Sequence, residues 1–335
     1  MRVLVTGATG FLGGVLVERL RKSGHEVVAA ARSTPSERIM EYASLVLRGD
    51  LADLEYTDEC ASKVDAVVHT AAKPGVWGDY GEYYESNVVA TENLLESCRE
   101  KGVRFFVYTG TPSSVFDMKD QSGVDESVPY PSRYYSPYPQ TKAIAERRVL
   151  SAACDELRTV SLRPHLIWGP GDRHLFPRLA SRMRSGRMTI VNGGRNRIDA
   201  TYVDNVADAH ILALERLASD GWERVCGKPY FITNDEPMTM REILSAMIKA
   251  TGLSGRLIDV PGPLACLAGA AMEMIHRISG SRKEPLLTRF VVREFMCDHW
   301  FDISAAKRDL GYRPSVSMEE GMKRLGKWAL ENGVL

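Results

Sequence analysis

The chain has 335 residues, with 43 basic and 43 acidic side chains and a formal net charge of zero. That length accommodates one large domain or a large and a small one, and a balanced charge without blocks of one sign excludes a polyphosphate partner, so no nucleic acid is expected. The six cysteines are scattered without a C-x-x-C, and the seven histidines include no H-x-x-x-H; the thiols therefore read as reduced and no metal site is expected.

The first residues run straight into "RVLVTGATG", with no charged leader followed by an apolar run. A cytoplasmic location is the expectation. Residues 2–7 read as a buried strand and 11–24 as a helix ended by Gly24. Further strands are expected at 26–32, 44–50, 65–72, 103–111 and 158–171, with helices between them, including 87–102. Short apolar strands alternating with helices predict an α/β fold, a doubly wound parallel sheet covered on both faces. From Phe176 the alternation becomes irregular. Residues 1–175 are expected to form a nucleotide-binding domain, and 176–335 a smaller substrate-binding region interleaved with it.

"TGATGFLG" sets Gly7, Gly10 and Gly13 at the first strand–helix junction. In that context, spaced glycines mark a Rossmann-type dinucleotide site. Gly7 permits the tight turn, Gly10 lets the backbone approach a pyrophosphate, and Gly13 lets the helix pack on the strand. The helix N-terminus offers free N–H groups and partial positive charge to the phosphates. At the end of the second strand, a carboxylate would bind the ribose hydroxyls of NAD. Ala31, Arg32 and Ser33 stand there instead. Arg32 can grip a 2′-phosphate bidentately, so NADP(H) is favoured over NAD(H); the alternative is a solvated loop charge. Asp50 is placed to accept from the adenine amino group, and a helix N-cap role for Asp50 or Asp53 is the competing reading.

The series continues with "HTAA" at 69–72, "NVVATENLLES" at 87–97 and "YTGTPSSVF" at 108–116. Tyr138 and Lys142 then form Y-x-x-x-K, followed by "RPHLIWGPGD" at 163–172 and "TYVDNVADAH" at 201–210. In this order the motifs resemble an extended short-chain dehydrogenase/reductase over essentially the whole chain. "AAKPGVWG", "PYPQTKAIAERRVL" and "TRFVVREF" are most similar to the branch of 3β-hydroxysteroid dehydrogenases, sterol 4-carboxylate 3-dehydrogenases and 2-alkyl-3-oxoalkanoate reductases. That branch interconverts a ketone and a secondary alcohol on bulky apolar substrates. The resemblance implies cofactor contacts at Gly7, Thr9, Gly10, Phe11, Leu12 and Gly13, then at Arg32, Asp50 and Leu51. It adds Ala71, Ala72 and Lys73 after the fourth strand, Tyr138 and Lys142, and Pro164 and His165 after the sixth.

Tyr138 is the candidate acid/base. A phenol has a reference pKa of about 10, and a nearby ammonium would lower it. Lys142 lies one helical turn on and faces the same way; in the resembling family it also holds the nicotinamide ribose. Thr111 matches the family's catalytic Ser/Thr when counted from the start of its motif, and Ser113 when counted back from "VF". Gly110 and Thr111 replace the commoner serine pair. Asn87 is expected to open the helix after the fourth strand and to orient active-site groups, although a plain N-cap would look the same.

Three functions compete. The leading one is an NADP(H)-dependent oxidoreductase acting on a lipid-like substrate, either a β-keto or β-hydroxy acid such as a 2-alkyl-3-oxoalkanoate, or a 3β-hydroxysteroid. The second is an NAD-dependent sugar-nucleotide epimerase or dehydratase, for which Arg195 and Arg197 offer diphosphate ligands. A non-enzymatic redox sensor would be expected to lack the Tyr138–Lys142 pair. The apolar stretch around 263–280 reads as a core helix, or as a lid or membrane-surface helix over a lipophilic pocket. The resembling family commonly forms homodimers through the helix bearing Y-x-x-x-K.

Overall fold

The computed structural model describes residues 1–172, 175–184, 188–253, 256–281 and 283–333. The first half alternates β1 (Arg2–Thr6), α1 (Phe11–Lys22), β2 (Glu26–Ala31), β3 (Leu45–Arg48), α2 (Leu54–Ala61), β4 (Ala66–His69), α3 (Ala90–Lys101), β5 (Phe105–Thr109), α4 (Pro137–Ser151) and β6 (Arg158–Pro164). The second half returns with α5 (Val203–Ala218) and β7 (Lys228–Ile232), which complete a seven-stranded sheet in the order β7-β6-β5-β4-β1-β2-β3. Every pairing is parallel. This is the Rossmann-type doubly wound sheet expected from the strand–helix alternation.

The apolar runs of the central strands make sense because both faces are covered. Along β1, Val3 and Val5 join the core under α1 and α5, whereas Leu4 joins the core under α2, α3 and α4. Period-two alternation thus sorts one strand's side chains between two cores. A third core gathers Trp168, Tyr202, Met247 and Met322 beneath the helices Met240–Thr251 and Met318–Glu331.

The expected sixth strand, 158–171, is cut short. β6 stops at Pro164, because Leu166 turns to a φ of 39° and Gly169 to 148°. Ile167–Trp168 then pairs with Thr201–Tyr202 outside the main sheet. β7 carries Pro229, which weakens its strand signature, and as an edge strand it tolerates the missing N–H.

A small second sheet orders Met238–Thr239, Arg197–Ile198, His299–Phe301 and Gln121–Val124 side by side. It ties the segment after β5 to the C-terminal region. The apolar stretch forms α6 (Gly262–Ile278), followed by α7 (Arg289–Glu294). α6 does not behave as a core helix. It buries Gly262, Ala265, Gly269 and Glu273 but leaves Leu267 68% and Ile278 82% exposed.

Candidate active site

The carboxyl edge of the sheet carries a cleft and a cluster of polar side chains. The first opens where β1 turns into α1, a space of about 340 Å³ lined by Gly7, Gly10, Arg32, Asp50, Leu51, Ala71 and Ala72. Its glycines follow from sterics. Gly7 has a φ of 63°, and a Cβ there would sit 2.9 Å from the Ala71 backbone. A Cβ on Gly13 would lie 2.2 Å from the Gly7 carbonyl, so helix and strand could not meet. Thr6 fixes the facing loop: its hydroxyl accepts from the N–H groups of Thr70 and Ala71 at 3.1 and 3.2 Å. α1 begins at Gly10 with no side-chain cap and no acid in its first turn. Its free N–H groups therefore suit a pyrophosphate, and the glycine cradle fits a dinucleotide.

Phe11 and Leu12 belong to the core, so what they offer the cleft is backbone. The Thr9 hydroxyl accepts from Ser33 at 3.0 Å. Arg32 is 65% exposed and lies 3.7 Å from the Asp50 carboxylate, a loose surface pair able to re-aim toward an added phosphate. Asp50 also accepts from the Ala52 N–H, while the N-cap of α2 is Asp53. Lys73 is turned away from the cleft: its ammonium pairs with Glu82 and lies 5.1 Å from the Tyr83 ring.

The second group, a cluster of side chains, brings together β5, the turn after it, α4 and α7. Thr111 caps the short turn Pro112–Val115, its hydroxyl accepting from the Ser113 N–H at 3.3 Å. That hydroxyl also meets the phenol of Tyr138. Ser113 points elsewhere, to the Glu294 carboxyl at 3.4 Å. Of the two hydroxyls between which the sequence was ambiguous, Thr111 is the one beside Tyr138.

The Tyr138–Lys142 pair departs from expectation in its electrostatics. Lys142 donates to the Thr109 carbonyl at 2.7 Å and lies 4.2 Å from the Tyr108 ring. It makes no direct hydrogen bond to Tyr138. Burial pushes Tyr138 up to about 12, with the Thr111 hydrogen bond only partly opposing. Burial likewise pulls Lys142 down to about 7, against the attraction of Glu146. The expected lowering of the phenol is absent because the desolvated ammonium turns to a carbonyl and a π face. At neutral pH the Tyr138 phenol accordingly keeps its proton.

Asn87 also differs from expectation. The helix preceding α3 begins earlier, at Tyr80, and Asn87 lies inside a π turn, Glu85–Val89. It is no N-cap. Its amide oxygen accepts from the Lys73 N–H at 2.7 Å and its nitrogen donates to Thr141 at 3.0 Å. It thereby clamps the loop after β4 to the helix carrying Tyr138. His165, next to Pro164, faces away toward the second sheet, bonded to the Asp199 carbonyl at 2.7 Å and packed 5.8 Å from His299. Burial holds it down at about 4, as a neutral wall group. Arg197 is occupied by the Pro237 carbonyl and the Trp300 ring.

Two residues absent from the sequence reading organise this site. Glu146 continues the Tyr138–Lys142 face by one more turn and is fully buried. It pairs with Arg163 at 2.9 Å and accepts from Ser161 at 2.6 Å, Tyr130 at 2.7 Å and Ser114 at 3.3 Å. One carboxylate thus pins α4, β6 and the Thr111 turn together. It also accounts for Gly110: a Cβ there would lie 2.8 Å from both Glu146 and Ser161. The four-residue spacing from Lys142 was its only sequence signal. Glu294 had no signal beyond lying in "TRFVVREF", because α7 reaches the cleft through the packing of Phe290 on Phe116. Among the described residues no group of three or more His, Cys, Asp or Glu could hold a metal ion.

Residues 4–260 match the model of the 3-beta hydroxysteroid dehydrogenase/isomerase family. The chain is 44% identical over 329 residues to a 2-alkyl-3-oxoalkanoate reductase of Stenotrophomonas maltophilia, covering 97% of this chain and 98% of that one. It is 34% identical over 330 residues to a 3 beta-hydroxysteroid dehydrogenase/Delta 5-->4-isomerase of Mycobacterium tuberculosis, covering 96% and 88%. Among solved structures it resembles a UDP-glucuronic acid 4-epimerase from Bacillus cereus in complex with UDP-glucuronic acid and NAD, with a TM-score of 0.76 at 25% identity over 99% of this chain and 100% of that one. The family model covers most of the chain and the relatives match it nearly end to end: the chain belongs to the 3-beta hydroxysteroid dehydrogenase/isomerase family, and is an NAD(P)-dependent extended short-chain dehydrogenase/reductase acting on CH–OH groups.

Proposed function

We propose that the protein is an NADP(H)-linked reductase of 2-alkyl-3-oxoalkanoates, interconverting the 3-ketone and the 3-hydroxyl of a long-chain acid. The observation that carries this reading is the match, nearly end to end in both chains, to a reductase of that name. When bound, the nicotinamide supplies the hydride for reduction or accepts it for oxidation. Thr111 hydrogen-bonds the substrate oxygen and orients it on Tyr138. Tyr138 donates its proton to that oxygen as the alcohol forms, and takes it back in the reverse direction. Lys142 and Asn87 hold the geometry, the first through Thr109 and the second through Thr141. Arg32 and Ser33 would take the 2′-phosphate, and Gly7, Gly10 and the first turn of α1 the pyrophosphate.

The test compares NADPH and NADH consumption with 2-alkyl-3-oxo acids, 3-ketosteroids and UDP-sugars. The expected result is oxidation of NADPH, stoichiometric with product, on the oxo acids. Interconversion of UDP-sugars without release of reduced cofactor would overturn it.

The lipid-like nature of the substrate is supported by α6. Leu264, Leu267, Met274, Ile275 and Ile278 form an exposed apolar stripe on that helix. No helix among the described residues is long and apolar enough to cross a membrane. The enzyme is read as able to rest this stripe on a lipid surface. Pairing of two copies through α3 and α4 would form the homodimer, which sedimentation measures.

A further inference from the structure

α7 carries an acid to the Thr111–Tyr138 cluster, and among the described residues no basic side chain pairs with it. The Glu294 carboxyl has one hydrogen-bond partner among the described residues, the Ser113 hydroxyl at 3.4 Å, and no salt bridge. α7 is fixed there from several sides. Phe290 packs on Phe116 with ring centroids 5.9 Å apart, and the Cys297 thiol reaches the Met118 carbonyl at 3.6 Å. Ser113 stands two residues beyond Thr111, and its N–H already donates to the Thr111 hydroxyl. The Glu294 carboxyl is also close enough to Tyr138 to disfavour its phenolate. Glu294 and Ser113 thus border the point at which Thr111 and Tyr138 would hold a ketone oxygen.

In a 3-oxo acid one carbon separates the ketone from the carboxylate, so the two oxygen functions lie about 3–4 Å apart. Ser113 and Glu294 are the polar groups next along from Thr111 toward which that second function can turn. We propose that Glu294 and Ser113 form the subsite that reads the substrate's carboxylate, the Glu294 carboxyl donating an O–H to it. This inference rests on the oxo-acid reading above. It explains why an acid can serve where a base would be expected. A neutral carboxyl facing a carboxylate makes a short, charge-assisted hydrogen bond, whereas an ionised one would repel it. Burial holds the Glu294 carboxyl up at about 7, opposed only by the Ser113 hydrogen bond. Tyr138 faces it from α4 and stays neutral. Arg293, on its own helix, turns to Cys297. The subsite is therefore filled with its proton below neutrality and loses it as pH rises through about 7.

The experiment measures KM for a 2-alkyl-3-hydroxyalkanoic acid and for its methyl ester, in the oxidative direction, from about pH 6 to 9. It uses wild type, Glu294→Gln and Glu294→Ala, each checked for folding and cofactor affinity. For wild type, the ratio of acid KM to ester KM should rise up to about tenfold per pH unit above 7. Glu294→Gln, which keeps a donor, should flatten that slope. Glu294→Ala should raise the acid KM about tenfold or more, with the ester changing much less. A pH-independent ratio in wild type, or a slope that survives in Glu294→Gln, would overturn the subsite while leaving an active oxo-acid reductase. No turnover of either compound by wild type, with activity on 3-ketosteroids or UDP-sugars instead, would bring down the functional reading as well.

Discussion

The glycine cleft and the Thr111–Tyr138 cluster are built by opposite means. The first is made of backbone: a turn at Gly7, the bare N-terminus of α1 and a loop held by the Thr6 hydroxyl. Its residues are neighbours in sequence or lie on adjacent strands. The second is made of side chains from distant segments: Thr111, Tyr138, Glu146, Arg163 and Glu294. Backbone sites tolerate few residue types, so they leave a spaced glycine signature. Side-chain sites depend on who meets whom, which spacing does not encode. Their desolvation also sets the chemistry, raising the Tyr138 phenol and lowering the Lys142 ammonium, an outcome the Y-x-x-x-K spacing alone did not predict.

This contrast can be broken most severely at Tyr138. Tyr138→Phe should lower kcat by about 10²–10⁴-fold while leaving the NADPH dissociation constant unchanged. Retained turnover, measured by cofactor absorbance, would show that the proton comes from another group. Next comes Glu146→Ala. Removing one partner of a buried, multiply bonded ion pair should cost about 3–5 kcal/mol in denaturant unfolding, and Glu146→Gln less. An unchanged unfolding midpoint would mean that α4 is held by its apolar contacts alone.

Thr111→Ala should reduce kcat about 10²-fold, whereas Ser113→Ala should act mainly on KM. The reverse pattern would exchange the two hydroxyls' roles. On the cofactor side the effects are smaller and divisible. Arg32→Ala should weaken NADPH about tenfold, or about 1.4 kcal/mol, and leave NADH alone. Equal loss for both cofactors would remove the 2′-phosphate argument. Least disruptive to the fold is the double change Leu267→Glu and Met274→Glu. Stability should stay within about 0.5 kcal/mol, because both side chains already face water. Co-sedimentation with lipid vesicles should fall, and undiminished binding would exclude the α6 stripe as the lipid contact.

Much of the molecule was legible before any coordinates. β1 to β6, α1 and the glycine cradle follow from local apolar period and turn chemistry, because each element's pattern is satisfied by its immediate neighbours. The edge strand β7 was hidden by Pro229, and the end of β6 by a positive φ at Leu166 that no residue type announces. Asn87 was visible as a polar residue near a helix start, but its bonds to Lys73 and Thr141 were not.

The sequence by itself determined the parallel α/β class, the dinucleotide edge and the candidacy of Tyr138, Lys142 and Thr111, since those depend on residue type and short spacing. Tertiary structure alone decided that Thr111 and not Ser113 meets Tyr138. It alone turned Lys142 to a carbonyl, made Glu146 the anchor and brought Glu294 to Ser113. The physical reason is that these outcomes are set by burial and by contacts between segments far apart along the chain. Both quantities exist only once the chain has packed.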